Sequence, residues 1–196
     1  AAERLPETND ESAALKLYLL SELARNEDNR SQHDTLVTQM IQRFPQSHWL
    51  EEALYSGGNM YLLKRDYPHA IADYLQLVKF FPTSTSAPSA HWRSAWLSYR
   101  LRQFSDAARL MDEQIQQYPA GVEVSNALYW RGRIYEDQEH NFGQAMNYYR
   151  ALANTYVNFY YAGLARQRLV VLRGKQTVSP SSVLSAVRPS VVPELT

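Results

Sequence analysis

Among the 196 residues there is no cysteine. That excludes a disulfide framework and any thiolate metal site, and it fits a periplasmic location. Glycine is scarce, at 7 residues, which disfavours a β-rich fold with many tight turns and favours helices. Net charge is also missing, since 20 Lys+Arg balance 20 Asp+Glu. No field therefore draws the chain to nucleic acid or to an anionic membrane. No apolar run approaches the roughly 20 residues that would span a bilayer. The start, Ala1-Ala2-Glu3-Arg4-Leu5-Pro6, is neither a signal peptide nor a methionine start. Leu5-Pro6 reads as the tail of an earlier helix, so the chain is expected to be excised from something longer.

What is present is an ordinary globular composition, 45% hydrophobic and 20% charged, enough to bury a core without covalent staples. Aromatic residues are the one excess, with 14 tyrosines and 4 tryptophans. These amphipathic rings suit both helix packing and a contact surface.

Repetition organises the chain. Phe44-Pro45, Phe81-Pro82 and Tyr118-Pro119 place their prolines 37 residues apart, and Tyr156-Val157 follows after 38. Before each end runs an apolar stripe at helical spacing: Ala70, Ile71, Tyr74, Leu77, Val78 and Phe81; Ala107, Ala108, Met111, Ile115 and Tyr118; Ala145, Met146, Tyr149, Leu152, Ala153 and Tyr156. The proline cannot continue the helix and sets its boundary. Each unit has an earlier helix with a small residue mid-way, Gly58, Ala95 or Gly132, which lets its partner helix approach closely. Leu17, Leu20, Ser21 and Ala24, then Val37, Met40, Ile41 and Phe44, form a divergent first unit with His33 where alanine is expected.

This pattern resembles the tetratricopeptide repeat, most clearly at Gly58, Tyr61, Ala70, Tyr74 and Pro82 and at Gly132, Tyr135, Ala145 and Tyr149. The middle unit departs, with Ser98 and Met111 at the tyrosine and aromatic positions. The resemblance implies an all-α fold, a right-handed superhelical solenoid of antiparallel helix pairs, here with a period longer than the usual 34 residues. Residues 1–173 are expected to form the solenoid, closed by a capping helix from Phe159 to about Arg173. Residues 174–196, rich in Ser, Pro and Val, read as an extended linker or tail rather than a folded element.

Ala127-Leu128-Tyr129-Trp130-Arg131-Gly132-Arg133, then Ala145 to Arg150, then Tyr160-Tyr161-Ala162-Gly163-Leu164-Ala165-Arg166-Gln167-Arg168-Leu169 resembles, in the order of its words, the end of the superhelical region of soluble lytic murein transglycosylases. That resemblance implies a periplasmic, non-catalytic module that positions peptidoglycan glycan strands or protein partners, with a lysozyme-like catalytic domain beyond Thr196. The competing expectation is a stand-alone tetratricopeptide adaptor for protein partners, such as an outer-membrane assembly lipoprotein.

No catalytic constellation is expected in this chain. Glu11-Ser12 is the sole Glu-Ser pair and no Gly-Leu-Met-Gln follows it, so Glu11 reads as a favourable charge in a helix first turn. The histidines His33, His48, His69, His91 and His140 offer no i, i+4 pair, so neither metal nor cofactor is expected. Asp112-Glu113 reads as a solvated helix face. The basic set Arg131, Arg133, Arg150, Arg166 and Arg168 either pairs with Glu136, Asp137 and Glu139 or meets the carboxylates of an anionic partner.

In tetratricopeptide superhelices two offsets of each first helix line the concave side. Here they carry Tyr55 and Asn59, Trp92 and Trp96, and Tyr129 and Arg133, with Tyr99 and Arg100 alongside. This implies a ladder of Tyr55, Trp92 and Tyr129 with interleaved Asn and Arg, suited to sugar rings or an extended peptide. The plainer reading is that the rings fill gaps between helices.

Overall fold

The three-residue turns that follow the first helices are where the 37-residue period is most visible. The structure, a computed structural model, describes residues 10–188. Among these the elements are α1 Asp10–Asn26, α2 Arg30–Arg43, α3 His48–Leu63, α4 Tyr67–Phe80, α5 Ala87–Arg100, α6 Phe104–Gln117, α7 Val124–Asp137, α8 Phe142–Thr155, α9 Tyr160–Val171 and a 3-10 helix Ser182–Ala186. Asp28, Arg65, Arg102 and His140 stand in the left-handed region, with φ of 59°, 61°, 62° and 51°. At the first three turns a paired backbone bond closes the helix end: Asn29 N–H to Ala24 C=O, Asp66 to Tyr61 and Gln103 to Ser98, the Schellman pattern. A side-chain-bearing residue there costs roughly 1 kcal/mol or more, yet all four of these turns are closed without glycine.

The aromatic-proline pairs are the other punctuation. Phe44, Phe81, Tyr118 and Tyr156 each cap a helix with φ between −137° and −115° and ψ near 50°. Each donates its N–H back four residues, to Met40, Leu77, Gln114 and Leu152. A following proline excludes helical geometry from the residue before it. Tyr156 takes the same cap ahead of Val157, so the proline reinforces an ending that the capping geometry already provides.

The described residues form two compact units that divide between Ser94 and Ala95, within α5. In the first, α1 packs on α2 and α3 on α4, with α3 also against α1 and α2. In the second, α6 packs on α7, α7 on α8, and α9 on both α7 and α8. Neighbours thus pack in chain order, the arrangement of a tetratricopeptide-like helical repeat. The core of each unit combines small residues with large ones. Ala53, Ala90, Ala127 and Ala165 are fully buried at matching positions of α3, α5, α7 and α9, and so are Ala70, Ala107 and Ala145 on the helices that follow.

Within each hairpin the small mid-helix residue receives a ring. A Cβ on Gly58 would lie 2.5 Å from Tyr74 Cε1, and one on Gly132 would lie 2.6 Å from Tyr149 Cε1. Both tyrosines are fully buried.

The expectation that the chain beyond Gly174 is not a folded element needs correction for its described part. Residues 176–188 return along α8, and the 3-10 helix packs on α6. The Asn147 amide donates to Val178 C=O at 3.1 Å, and the Gln144 amide donates to Ser179 C=O at 2.9 Å and accepts from Ser181 N–H at 3.2 Å. The Tyr156 hydroxyl donates to Arg188 C=O at 2.6 Å. These bonds engage the tail's backbone, so its side-chain composition carried no sign of them. The expected helix tail at Leu5-Pro6 lies outside the described residues.

Replacing Gly58 by alanine should cost about 1–3 kcal/mol, because the added methyl overpacks against Tyr74. The same change at Gly163, which has nothing within 4 Å, should be neutral or stabilise by up to about 1 kcal/mol through helix propensity. Urea unfolding of Gly58→Ala and Gly163→Ala checks this; equal losses at both positions would contradict the ring-to-backbone contact.

Candidate functional site

In the first unit the divergence at His33 has a structural counterpart. His33 is 1% exposed and points at the backbone of α3. A second glycine, Gly57, makes room for it: a Cβ there would lie 2.9 Å from His33 Cε1 and 2.7 Å from Asp73 Oδ2. His33 Nε2 and Asp73 Oδ2 are both buried without a hydrogen-bond partner. On its other side His33 Nδ1 lies 3.2 Å from Asp34 Oδ1. The Tyr61 hydroxyl donates to both Asp34 oxygens at 2.6 and 2.7 Å, and the Tyr61 ring stacks on His69 at 5.0 Å. Tyr61, Asp34, Asp66 and His69 line an open cleft of about 650 Å³. Burial, and then the charge of Asp34, push the Asp73 carboxyl up to about 7, with His69 acting in the opposite sense. Among the described residues no group of three or more His, Asp or Glu is arranged to hold a metal ion.

Tyr55 and Asn59, expected to face a ligand, are half-buried on α3. Asn59 Oδ1 accepts from the Tyr74 hydroxyl at 2.8 Å and from Arg93 Nη1. The Arg93 guanidinium lies 5.3 Å from the Tyr55 ring centroid and 5.6 Å from that of Tyr74, a cation–π arrangement. Asn59 thus serves an internal network, and Arg93 is a member that the sequence reading missed. Trp92 is half-buried on α5.

The second unit gathers most of the rings. Trp96 stacks on Tyr99 with centroids 5.5 Å apart and planes 9° off parallel. Trp130 lies 4.6 Å from Trp96 and 4.9 Å from Tyr99. Tyr161 lies 6.2 Å from Trp130 and stacks at 4.9 Å on Tyr129. Trp96, Tyr99, Trp130 and Tyr161 are half-buried, while Tyr160 beside them is 76% exposed. The Trp130 indole N–H is buried without an acceptor. These rings form an aromatic wall carried by α5, α7 and α9.

Tyr129, expected on a ligand ladder, is 5% exposed and belongs to the packing behind the wall. The residue that joins the wall is its neighbour Trp130. The aromatic excess on α7 was visible in the sequence, but which of two adjacent rings packs inward shows only in their contacts with Tyr149 and Tyr161 of α8 and α9. Arg133 donates to Asp137 Oδ2 at 2.6 and 3.0 Å and to the Tyr129 hydroxyl at 3.4 Å. Arg100 is exposed at the end of α5.

The basic set is largely paired. Arg131 is nearly buried, donating to Asp112 at 3.1 Å and to Glu139 at 2.8 Å. Its guanidinium lies 3.5 Å over the Tyr135 ring. Asp112 also accepts from the Tyr148 hydroxyl at 2.7 Å, so the solvated face expected at Asp112-Glu113 is corrected: Asp112 ties α6 to α7 and α8. Arg168 and the Tyr149 hydroxyl both donate to Glu136. Burial opposes ionisation of Glu136, but these bonds outweigh it and hold the carboxyl below its usual range. Arg150 and Arg166 are exposed; Arg166 reaches Val157 C=O at 3.3 Å. Glu11, in the first turn of α1, accepts from the Ser47 hydroxyl at 3.0 Å.

Hairpins packed in chain order, closed by glycine-to-tyrosine contacts and carrying a face of aromatic rings, define a tetratricopeptide-like module. The family profile described as YfiO, outer membrane lipoprotein, matches residues 50–177. That span is well over half of the chain, and the chain belongs to this family. It also contains the whole 127–169 stretch that carries the likeness to transglycosylases. No curated protein matches the chain.

Because Asp73 has a raised folded pKa, its contribution to stability is greatest below the unfolded value and is lost as pH rises through about 7. At about 1.4 kcal/mol per pKa unit, the wild type should lose about 2–3 kcal/mol from this group between pH 5 and 8. Asp73→Asn should remove that loss and be the more stable form at pH 8, as read by urea unfolding at the two pH values. Parallel declines in the two proteins would contradict the buried, unpaired carboxyl.

Proposed function

We propose that the chain is a helical adaptor of the bacterial envelope, on the periplasmic side, that binds a protein partner on the wall of Trp96, Tyr99, Trp130 and Tyr161 and carries out no chemistry of its own. The observation that carries this reading is the wall itself. Tryptophan and tyrosine present large, stiff, amphipathic surfaces, and such residues dominate the energetics of protein interfaces. Arg133 and Asp137 lie close enough for their charges to act on the Tyr99 hydroxyl. Membership of an outer membrane lipoprotein family supports the envelope location and the interaction role. Among the described residues no helix is long and apolar enough to cross a membrane.

A second reading rests on the ordered words between Ala127 and Leu169. A module of the lytic transglycosylase kind would offer the same wall to glycan strands, since aromatic faces also stack on sugar rings.

The two readings separate in one experiment. A photo-crosslinking residue at Tyr99, in cells, should give protein adducts of defined mass that are absent when it is placed at Gln117. Trp96→Ala/Tyr99→Ala should reduce capture of the adducted partner at least tenfold with little loss of helicity. Purified peptidoglycan sacculi serve as the second arm. Sedimentation of the wild type but not the double variant with sacculi, without protein adducts, would replace the adaptor by the glycan reading.

A further inference from the structure

The ring column of the first helices is a junction between successive repeats. Tyr18, Tyr55, Trp92 and Tyr129 stand 37 residues apart. Tyr18 stacks on Trp49 of α3 at 5.3 Å, the Arg93 guanidinium of α5 lies 5.3 Å from the Tyr55 ring, and Tyr129 stacks on Tyr161 of α9 at 4.9 Å. A first helix therefore has a rear face that carries the ring and a front face that covers the ring of the helix before it. About one turn further along, a second pair of positions meets at the same junctions. Ser56 donates to Glu22 at 2.6 Å, Arg93 donates to Asn59, and Trp130 lies 4.6 Å from Trp96. The two members match in kind each time, polar with polar and aromatic with aromatic. The front face adds one apolar residue per repeat: Met60, Leu97, Ile134 and, at the end of α9, Leu172, all buried.

The series is open at both ends. On α1 the front positions, 37 before Ser56 and Met60, are Leu19 and Leu23. Leu23 is 50% exposed, Leu19 is exposed too, and Leu15 lies half-buried beside them. On α9 the rear positions, 38 after Tyr129 and Arg133, are Gln167 and Val171. Val170 and Val171 are 68% and 63% exposed, and a Cβ on Gly163 would meet nothing within 4 Å. A terminal repeat that meets only water carries a polar outer face. Both of these faces are apolar.

We propose that the two faces are halves of one junction: the rear face of α9 in one copy of this chain receives the front face of α1 in a second copy, so that the chain associates head to tail. The period pairs Leu19 with Val171, where Ser56 meets Glu22 inside the chain, and Ser12 with Gln167, where Trp49 meets Tyr18. These pairs match in kind as the internal ones do, apolar with apolar and polar with polar. The occupant is a second copy because the chain itself carries both halves. Burial of leucine and valine side chains supplies the driving force. The contact is heterologous, so a dimer keeps one unused front and one unused rear face, and growth continues with concentration unless a ring closes. None of Trp96, Tyr99 and Trp130 takes part, which makes the junction independent of the aromatic wall.

Sedimentation velocity on the full chain tests this. The weight-average mass of the wild type should rise at least twofold from low micromolar to high micromolar concentration. Leu19→Lys/Leu23→Lys blocks the front face and Val170→Lys/Val171→Lys blocks the rear. Each variant alters exposed residues and should stay at the monomer mass, with helicity unchanged by circular dichroism. An equimolar mixture of the two should form a dimer and nothing larger, since one intact front meets one intact rear. Trp96→Ala/Tyr99→Ala should associate as the wild type does. A wild type that stays monomeric would overturn the proposal, and so would a mixture that stays monomeric. Self-association that survives in either blocked variant alone would replace it by a pairing of like faces, and loss of association in the wall variant would move the contact to the wall.

Discussion

A tyrosine ring lying on a stretch of helix that has no side chain is the contact on which each well-formed hairpin depends. At Gly58 and Gly132 the partner ring sits where a Cβ would be, so the distance between the helices is set by the thickness of a ring and not by two interleaved side chains. Packing at that distance leaves no tolerance for a larger residue; at the corresponding positions of the middle unit stand Ala95 and Met111, both fully buried. The first hairpin breaks the rule by placing His33 where alanine recurs, and the compensation appears one helix later as the adjacent glycines Gly57 and Gly58. One receives His33 and Asp73 and the other receives Tyr74. The orphaned polar atoms of His33 and Asp73 are the consequence of fitting an imidazole into an interface designed around a methyl group.

The fold was legible because its signals are local. Helical periodicity, a small residue mid-helix and an aromatic before proline each describe a few neighbouring residues, and their recurrence at 37 positions multiplies their weight. The site was legible only in outline. Trp96 and Tyr99 emerge as part of a half-exposed face, whereas Asn59 and Arg133 are engaged by Tyr74 and Arg93, and by Asp137, respectively. The offset rule selects Tyr129 over Trp130, but Tyr129 is buried against Tyr149 and Tyr161 from two other helices, while Trp130 lies against Trp96 and Tyr99.

Polar pairing between repeats was equally invisible residue by residue, yet it has a period. Ser47 bonds Glu11, Ser56 bonds Glu22, Ser86 bonds Glu51 and Tyr148 bonds Asp112, at separations of 36, 34, 35 and 36 residues. A hydroxyl on one repeat meets a carboxylate at nearly the same place on the previous one. Searching for donor–acceptor pairs about one repeat apart would have withdrawn Asp112 from the solvated face on which its polarity alone had placed it.

These pairings bear on how the module can recognise anything. With Arg131, Arg133 and Arg168 each engaged by carboxylates of the same unit, several of its strongest charges are already neutralised internally. The surface left for a partner is aromatic, on α5, α7 and α9. Recognition by such groups relies on buried apolar area and on directional hydrogen bonds to backbone, both of which change little with ionic strength, in contrast to the screened attraction between exposed charges. A chain with balanced charge is therefore suited to partners that it selects by shape and register. The same logic explains why the composition of residues 176–188 concealed their packing: Gln144 and Asn147 bind main-chain atoms there, and bonds to main-chain atoms leave no mark in composition.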